Sequence, residues 1–171
     1  MYLMSIEEQI IIVNRQNEEI GIVPRSIMRQ QHLLHRASYV IIFNNKQEIL
    51  IQKRSDSKDL YPGFFDPTTG GVLKAGETYE QNAVRELSEE LGIERVDLNE
   101  LGDLFFENEK ISVWGRVFWV KYDGEIRFND GEVVKVCFVD FSGIKSWLKG
   151  RNIMPDGRYI IERFLESIPI L

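Results

Sequence analysis

Apolar and polar positions change period several times along the chain, and the changes predict its elements. Two apolar runs, residues 10–13 and 20–23, enclose a polar stretch, the pattern of a β-hairpin. Pro24 follows, and its fixed φ suits the first turn of a helix, so a short helix is expected to about Gln31. Runs 38–43 and 49–53 flank a polar turn at 44–47 and predict a second hairpin. Residues 55–69 carry Pro62, Gly63 and Pro67 with little periodicity and predict a loop. Residues 103–106 and 111–122 read as strands around a turn at 107–110, and 133–141 as another strand. In the second of these, Trp114, Phe118 and Trp119 put at least one face in a core. Residues 143–150 and 156–168 read as helices. Adjacent hairpins with a few helices predict an α+β domain, a mixed sheet covered by helices.

The helical period is plainest after residue 78. Thr78 is a candidate N-cap, Gln81 completes a capping box, and Gly92 suits a left-handed C-cap. At about 100° per residue, Glu86, Glu89 and Glu90 fall within about a 100° arc. Ala83, Val84, Leu87 and Leu91 fill the neighbouring arc, so one side docks on the core while the adjacent edge is acidic.

Composition narrows the classes. The 171 residues, 43% apolar and 28% charged, fit one domain: residues 1–34 as a hairpin-and-helix extension, 35–171 as the core. A net charge of −6 argues against a nucleic-acid binder. One cysteine, Cys137, excludes an internal disulfide and fits a reducing compartment. The first ten residues lack a signal-peptide pattern, and no apolar run approaches the about 20 residues needed to span a bilayer. A cytoplasmic protein without membrane or nucleic-acid partners is expected, and a homodimer is left open.

The acids pose a chemical question. Residues 70–93 hold five glutamates, Glu77, Glu80, Glu86, Glu89 and Glu90, against only Lys74 and Arg85 as nearby cations. A solvated acidic face is the ordinary explanation. The alternative is a hard divalent cation, Mg²⁺ with Mn²⁺ as its substitute, which takes oxygen ligands and relieves the repulsion.

The same stretch matches the Nudix box. Gly71, Glu77, Arg85, Glu86, Leu87, Glu89, Glu90, Gly92 and Ile93 satisfy all nine restricted positions at the right spacing. A chance match at a given start has odds below about one in a billion. The chain thus resembles the Nudix hydrolases. That resemblance implies a Nudix fold, an α/β/α sandwich with a mixed β-sheet and a catalytic loop–helix–loop. It also implies cleavage of a diphosphate linkage in a nucleoside diphosphate joined to another group, or in a related small-molecule diphosphate. Position by position, Glu86, Glu89 and Glu90 become the metal-binding acids. Arg85 and Glu77 orient loop and helix, with Glu77 near enough in sequence to reach a metal, and Gly71 turns the chain. Glu132, just before a strand, is a candidate general base from outside the box, or else a simple turn acid.

A second resemblance covers most of the chain. Residues 35–44 and 49–66 and the N-terminal hairpin look like type 1 isopentenyl-diphosphate isomerase and the bacterial Nudix hydrolases close to it. The isomerase moves protons with a cysteine and a glutamate and leaves the diphosphate intact. Here Gly70 falls where its cysteine should be, Val72 where a metal-binding histidine should be, and Cys137 lies in an apolar strand. The complete box and missing thiol favour hydrolysis. Arg54 and Lys58 align with residues that hold a diphosphate, against the plainer reading of an exposed turn. His35 aligns with a metal-binding histidine, but without matched partners packing at a strand start is favoured. A third class, a non-catalytic nucleotide or diphosphate sensor, needs fewer metal-binding acids than this box supplies.

Overall fold

The computed structural model describes residues 6–169. The expectations for the first five residues and the last two lie outside that range. The expected N-terminal hairpin is present as β1 (Gln9–Val13) and β2 (Glu19–Pro24), and Pro24, expected in the first helical turn, stands just before α1 (Arg25–Gln30) and makes no side-chain cap. Met28 of α1 packs with Ile10, Ile12 and Val72 in a small core, and Ile12 pairs with His35, so the hairpin is part of the main sheet.

The central strand is β3 (His35–Phe43), buried at every position but Arg36. It runs parallel to β8 (Ser112–Lys121) from His35↔Val113 to Phe43↔Lys121, and β7 (Asn99–Glu107) pairs antiparallel with β8. The expected hairpin of 38–43 with 49–53 closes only at its base. Strand β4 (Glu48–Arg54) meets β3 at Phe43↔Ile49, then takes β9 (Val133–Asp140) as its main antiparallel partner. The two strands diverge because the stretch expected to be a loop inserts between them. Strand β5 (Phe65–Asp66) pairs with β4 and β6 (Thr69–Val72) with β3. Glycine permits this: a Cβ on Gly70 would stand 1.9 Å from the Ser38 carbonyl oxygen. Strand propensity does not reveal a segment whose side chains are this small.

Side chains alternate across the sheet. Ala37, Tyr39, Ile41 and Phe43 face one core with Ile160, Ile161 and Phe164 of α4 (Pro155–Phe164). Val40 and Ile42 face the other with Ala83, Leu87 and Leu91 of α2 (Tyr79–Leu91). Helices on both faces of a mixed sheet make the expected α/β/α sandwich. The helix expected at 143–150 is one short piece, α3 (Ile144–Trp147), after a single turn at Phe141–Gly143. Cys137 is half-buried against the first core. No helix among the described residues is long and apolar enough to cross a membrane.

Candidate active site

Helix α2 starts and stops as its sequence predicts. The Gln81 amide donates to Thr78 Oγ1 at 3.1 Å, and the Thr78 amide donates to Gln81 Oε1 at 3.0 Å. Gly92 ends the helix at φ +65°. Asn82, which no motif marked, anchors the helix. It is fully buried, donates to the Val72 carbonyl at 3.0 Å, and accepts a hydrogen bond from Ser38. The acidic edge is thus pinned to β3 and β6.

Glu77 and Arg85 tie the preceding loop to this helix. Glu77 Oε2 accepts from the Lys74 amide at 2.9 Å and from Asn82 at 3.1 Å, and Glu77 Oε1 accepts from Arg85 Nε at 2.6 Å. Burial pushes the Glu77 carboxyl up, but these hydrogen bonds outweigh it and hold it below the usual carboxylate range. The residue stands behind the cleft. Arg85 Nη1 then reaches Glu86 Oε1 and Glu89 Oε2, each at 2.9 Å.

Burial and like charge act on Glu86 and Glu90. Glu90 is 5% exposed, with Gln52 Nε2 at 3.3 Å as its hydrogen-bond donor. Burial pushes its carboxyl well up, and Glu86 and Glu132 add to the effect. Glu86 is raised too, chiefly by burial, with Arg85 opposing and Glu89 and Glu132 reinforcing. A Cβ on Gly71 would come within 2.7 Å of Glu86 Oε1, so a side chain there would push that carboxylate aside.

These acids form part of the wall of a cavity of about 560 Å³. Of the residues singled out in the sequence, Arg54, Lys58, Arg85, Glu86, Glu89, Glu90 and Glu132 line it together, as does His35. Glu132 pairs with Lys58, while its backbone closes a turn with Asp130 and Ser55. It is therefore a turn residue and a cleft residue at once. Arg54 spends two donors on the carbonyls of Leu60 and Tyr61, at 2.8 and 3.3 Å, and so shapes the loop as well as the cavity. His35 bonds the Leu33 carbonyl through Nδ1 at 2.9 Å, and burial pushes its pKa down to about 4. Packing at the strand start, the favoured reading, fits this neutral ring.

The sequence did not mark several other lining residues, among them two arginines and two aspartates. Arg25 and Arg29 come from α1, and their i, i+4 spacing after Pro24 was the available signal. Asp66 and Asp156 come from β5 and the first turn of α4, where an aspartate reads as an ordinary turn or cap residue.

The fold and this cleft together define a Nudix protein. The family profile for the NUDIX domain matches residues 33–163, and the chain belongs to that family. It is 40% identical over 132 residues to the Nudix hydrolase YfcD of Escherichia coli K12, covering 77% of this chain and 73% of that one. A Yersinia pestis Nudix hydrolase is also 40% identical, over 135 residues covering 79% and 74% of the two chains. Among solved structures, the DR0079 protein of Deinococcus radiodurans superposes with a TM-score of 0.80 at 24% identity, covering 92% of this chain and 99% of that one. The chain is accordingly a hydrolase of pyrophosphate bonds.

Nudix enzymes use a divalent cation, and the residues present suit one. Glu86, Glu89 and Glu90 supply only hard oxygen donors, and two of them are held in a buried, mutually repelling arrangement. Among the described residues, no three acids are gathered round one point. Glu86 and Glu89 lean on Arg85, and Glu90 on Gln52. For these three acids to share a cation, Glu86 and Glu89 would have to turn from Arg85 and Glu90 from Gln52.

Proposed function

We propose that this enzyme hydrolyses a diphosphate linkage in a nucleoside diphosphate joined to another group, or in a related small-molecule diphosphate. Its metal is Mg²⁺, replaceable by Mn²⁺, held by Glu86, Glu89 and Glu90. The observation carrying this reading is the placement of these acids, two of them with raised pKa values, on a cavity that also receives Arg25, Arg29, Arg54 and Lys58. When bound, the cation neutralises phosphate oxygens and acidifies the attacking water. Glu77 and Arg85 keep the loop in register with α2. Glu132 accepts the proton of the water whose oxygen attacks phosphorus. The bridging P–O bond breaks, and its electron pair leaves with the departing phosphate. Lys58, now paired with Glu132, exchanges that partner for a substrate phosphate, and Arg54 supplies a second cation on the same cavity.

The extension at residues 1–34 and the core at 35–171 work as one unit in this reading, since α1 brings Arg25 and Arg29 to the same cavity as the box acids. The single cysteine supports a cytoplasmic setting. Isomerase chemistry is disfavoured by sterics as well as by sequence. A thiol-bearing side chain at position 70 would place its Cβ 1.9 Å from the Ser38 carbonyl oxygen. The direct test is a panel of diphosphate compounds with Mg²⁺ or Mn²⁺, scored for phosphate release and for products. Release from at least one compound is expected. Exchange of substrate C–H with solvent deuterium and no release would overturn the reading, as would tight binding with no product.

A further inference from the structure

Apart from the box acids, the cavity holds a second acidic group built from three elements. Tyr39 comes from β3, Asp66 from β5 and Asp156 from α4. Asp66 is 8% exposed and Asp156 6%, yet both line the cavity. Asp156 is fully engaged: its Oδ1 accepts from the Gly157 amide at 3.0 Å, and its Oδ2 accepts from the Tyr39 hydroxyl at 2.8 Å. Asp66 is not. The Thr68 amide and hydroxyl donate to Oδ1 at 2.9 and 2.8 Å. Among the described residues no hydrogen bond falls on Oδ2.

The fold works to keep this carboxylate where it is. A Cβ on Gly157 would stand 2.7 Å from Asp66 Oδ1, so glycine at the start of α4 lets the carboxyl sit against the helix. Burial raises the Asp66 pKa to about 6, and Asp156 adds to that shift. Arg54 opposes it from the loop, and Arg29 faces the neighbouring Tyr39. Oδ2 keeps access to the cavity, and a ligand that closes over it must supply the donor that solvent otherwise provides.

We propose that Asp66 is the specificity site for the organic moiety of the diphosphate substrate, its free Oδ2 accepting a hydrogen bond from an N–H or O–H group there. This rests on the diphosphatase reading and narrows it. The substrate carries a polar moiety, a nucleoside or a sugar, and not an isoprenoid chain. A hydrocarbon in this cavity would seal Oδ2 without a partner. Sites that hydrogen-bond a substrate reject analogues lacking the group far more strongly than apolar pockets reject an extra methylene.

Calorimetric binding separates this proposal from the question of turnover. With Mg²⁺ present, four probes are titrated into the full chain. ADP offers base and ribose donors, 5-phosphoribosyl 1-diphosphate offers hydroxyls alone, isopentenyl diphosphate offers no donor, and inorganic pyrophosphate lacks the organic moiety. At least one of the first two is expected to bind about 100-fold more tightly than isopentenyl diphosphate, and which one it is identifies the donor. In Asp66→Asn the acceptor toward Thr68 is kept while the free position becomes a donor. That variant is expected to lose at least about 10-fold in affinity for the preferred probe, with pyrophosphate binding unchanged and reporting an intact fold. Asp66→Ala serves as the second variant. Isopentenyl diphosphate binding as tightly as either polar probe would overturn the proposal, as would an unchanged preference in both variants. Failure of the diphosphatase reading would show differently, as binding selectivity without product.

Discussion

The box acids and the inner acids are both carboxylate groups lining one cavity, yet they are held in opposite ways. Glu86, Glu89 and Glu90 share one helix edge, and their counter-charge is Arg85, which sits at 2.9 Å from both Glu86 and Glu89. That partner is exchangeable, because rotation of side chains on a pinned helix frees the oxygens. Tyr39, Asp66 and Asp156 come from three elements and are locked by hydrogen bonds from Thr68, Gly157 and one another. The contrast separates a group suited to gripping a cation from one suited to reading a fixed shape. Like charge and burial raise carboxyls in both places, so raised pKa values alone do not distinguish them.

Substitutions can break this comparison, and the largest effect belongs to the exchangeable group. Glu89→Gln is expected to lower kcat by about 10³-fold or more if this acid holds the cation. Its side chain is 47% exposed and its i, i+4 pair with Arg85 is a surface one, so the melting temperature should barely move. Undiminished phosphate release from this variant would assign the acidic edge to solvation alone.

The next effect concerns the strand that separates β3 from β4. Gly70→Ala forces a Cβ onto the Ser38 carbonyl and is expected to destabilise the fold by about 3 kcal/mol, a loss of about 6–12 °C in Tm. Thermal unfolding followed by circular dichroism measures it. A melt equal to wild type would mean that β6 has room to move away from β3.

The inner group should respond more mildly. Tyr39→Phe leaves Asp156 Oδ2 without its hydroxyl donor and is expected to cost about 1–3 kcal/mol by the same melt. The Asp66 carboxyl also gives a pH signature. Its folded pKa of about 6 lies above the ordinary 3.8, so the native state binds the proton more tightly than the unfolded chain. Its contribution is therefore fully present below about pH 3.8 and is lost as pH rises through about 6. Denaturant midpoints for Asp66→Asn should fall less than wild type across that window. Parallel curves would show that this carboxyl is not buried in solution. The smallest effect is at the helix start, where Thr78→Ala removes the cap and costs about 1 kcal/mol.

The same contrast explains what the sequence disclosed. Helix α2, its cap, its stop and its acids were legible because they are contiguous, and a 3.6-residue period placed Ala83, Leu87 and Leu91 on the buried side but wrongly put Val84, which is exposed, with them. The β7–β8 and β1–β2 hairpins were legible for a similar local reason. Pairing of β6 with β3 was hidden, since it depends on the absence of a side chain at Gly70 rather than on any apolar pattern. Tyr39, Asp66 and Asp156 were hidden because nothing local links residues so far apart. Arg25 and Arg29 were visible as spacing on a short helix, but their direction depends on where the extension docks.

The most direct test of diphosphate hydrolysis at this cleft is a reaction in ¹⁸O-labelled water, run on whichever panel compound is turned over, with Mg²⁺ and then with a chelator. One labelled oxygen in the phosphoryl product, with turnover abolished by the chelator and by Glu89→Gln, is the predicted result. Product without label, or a rate indifferent to both treatments, would contradict it.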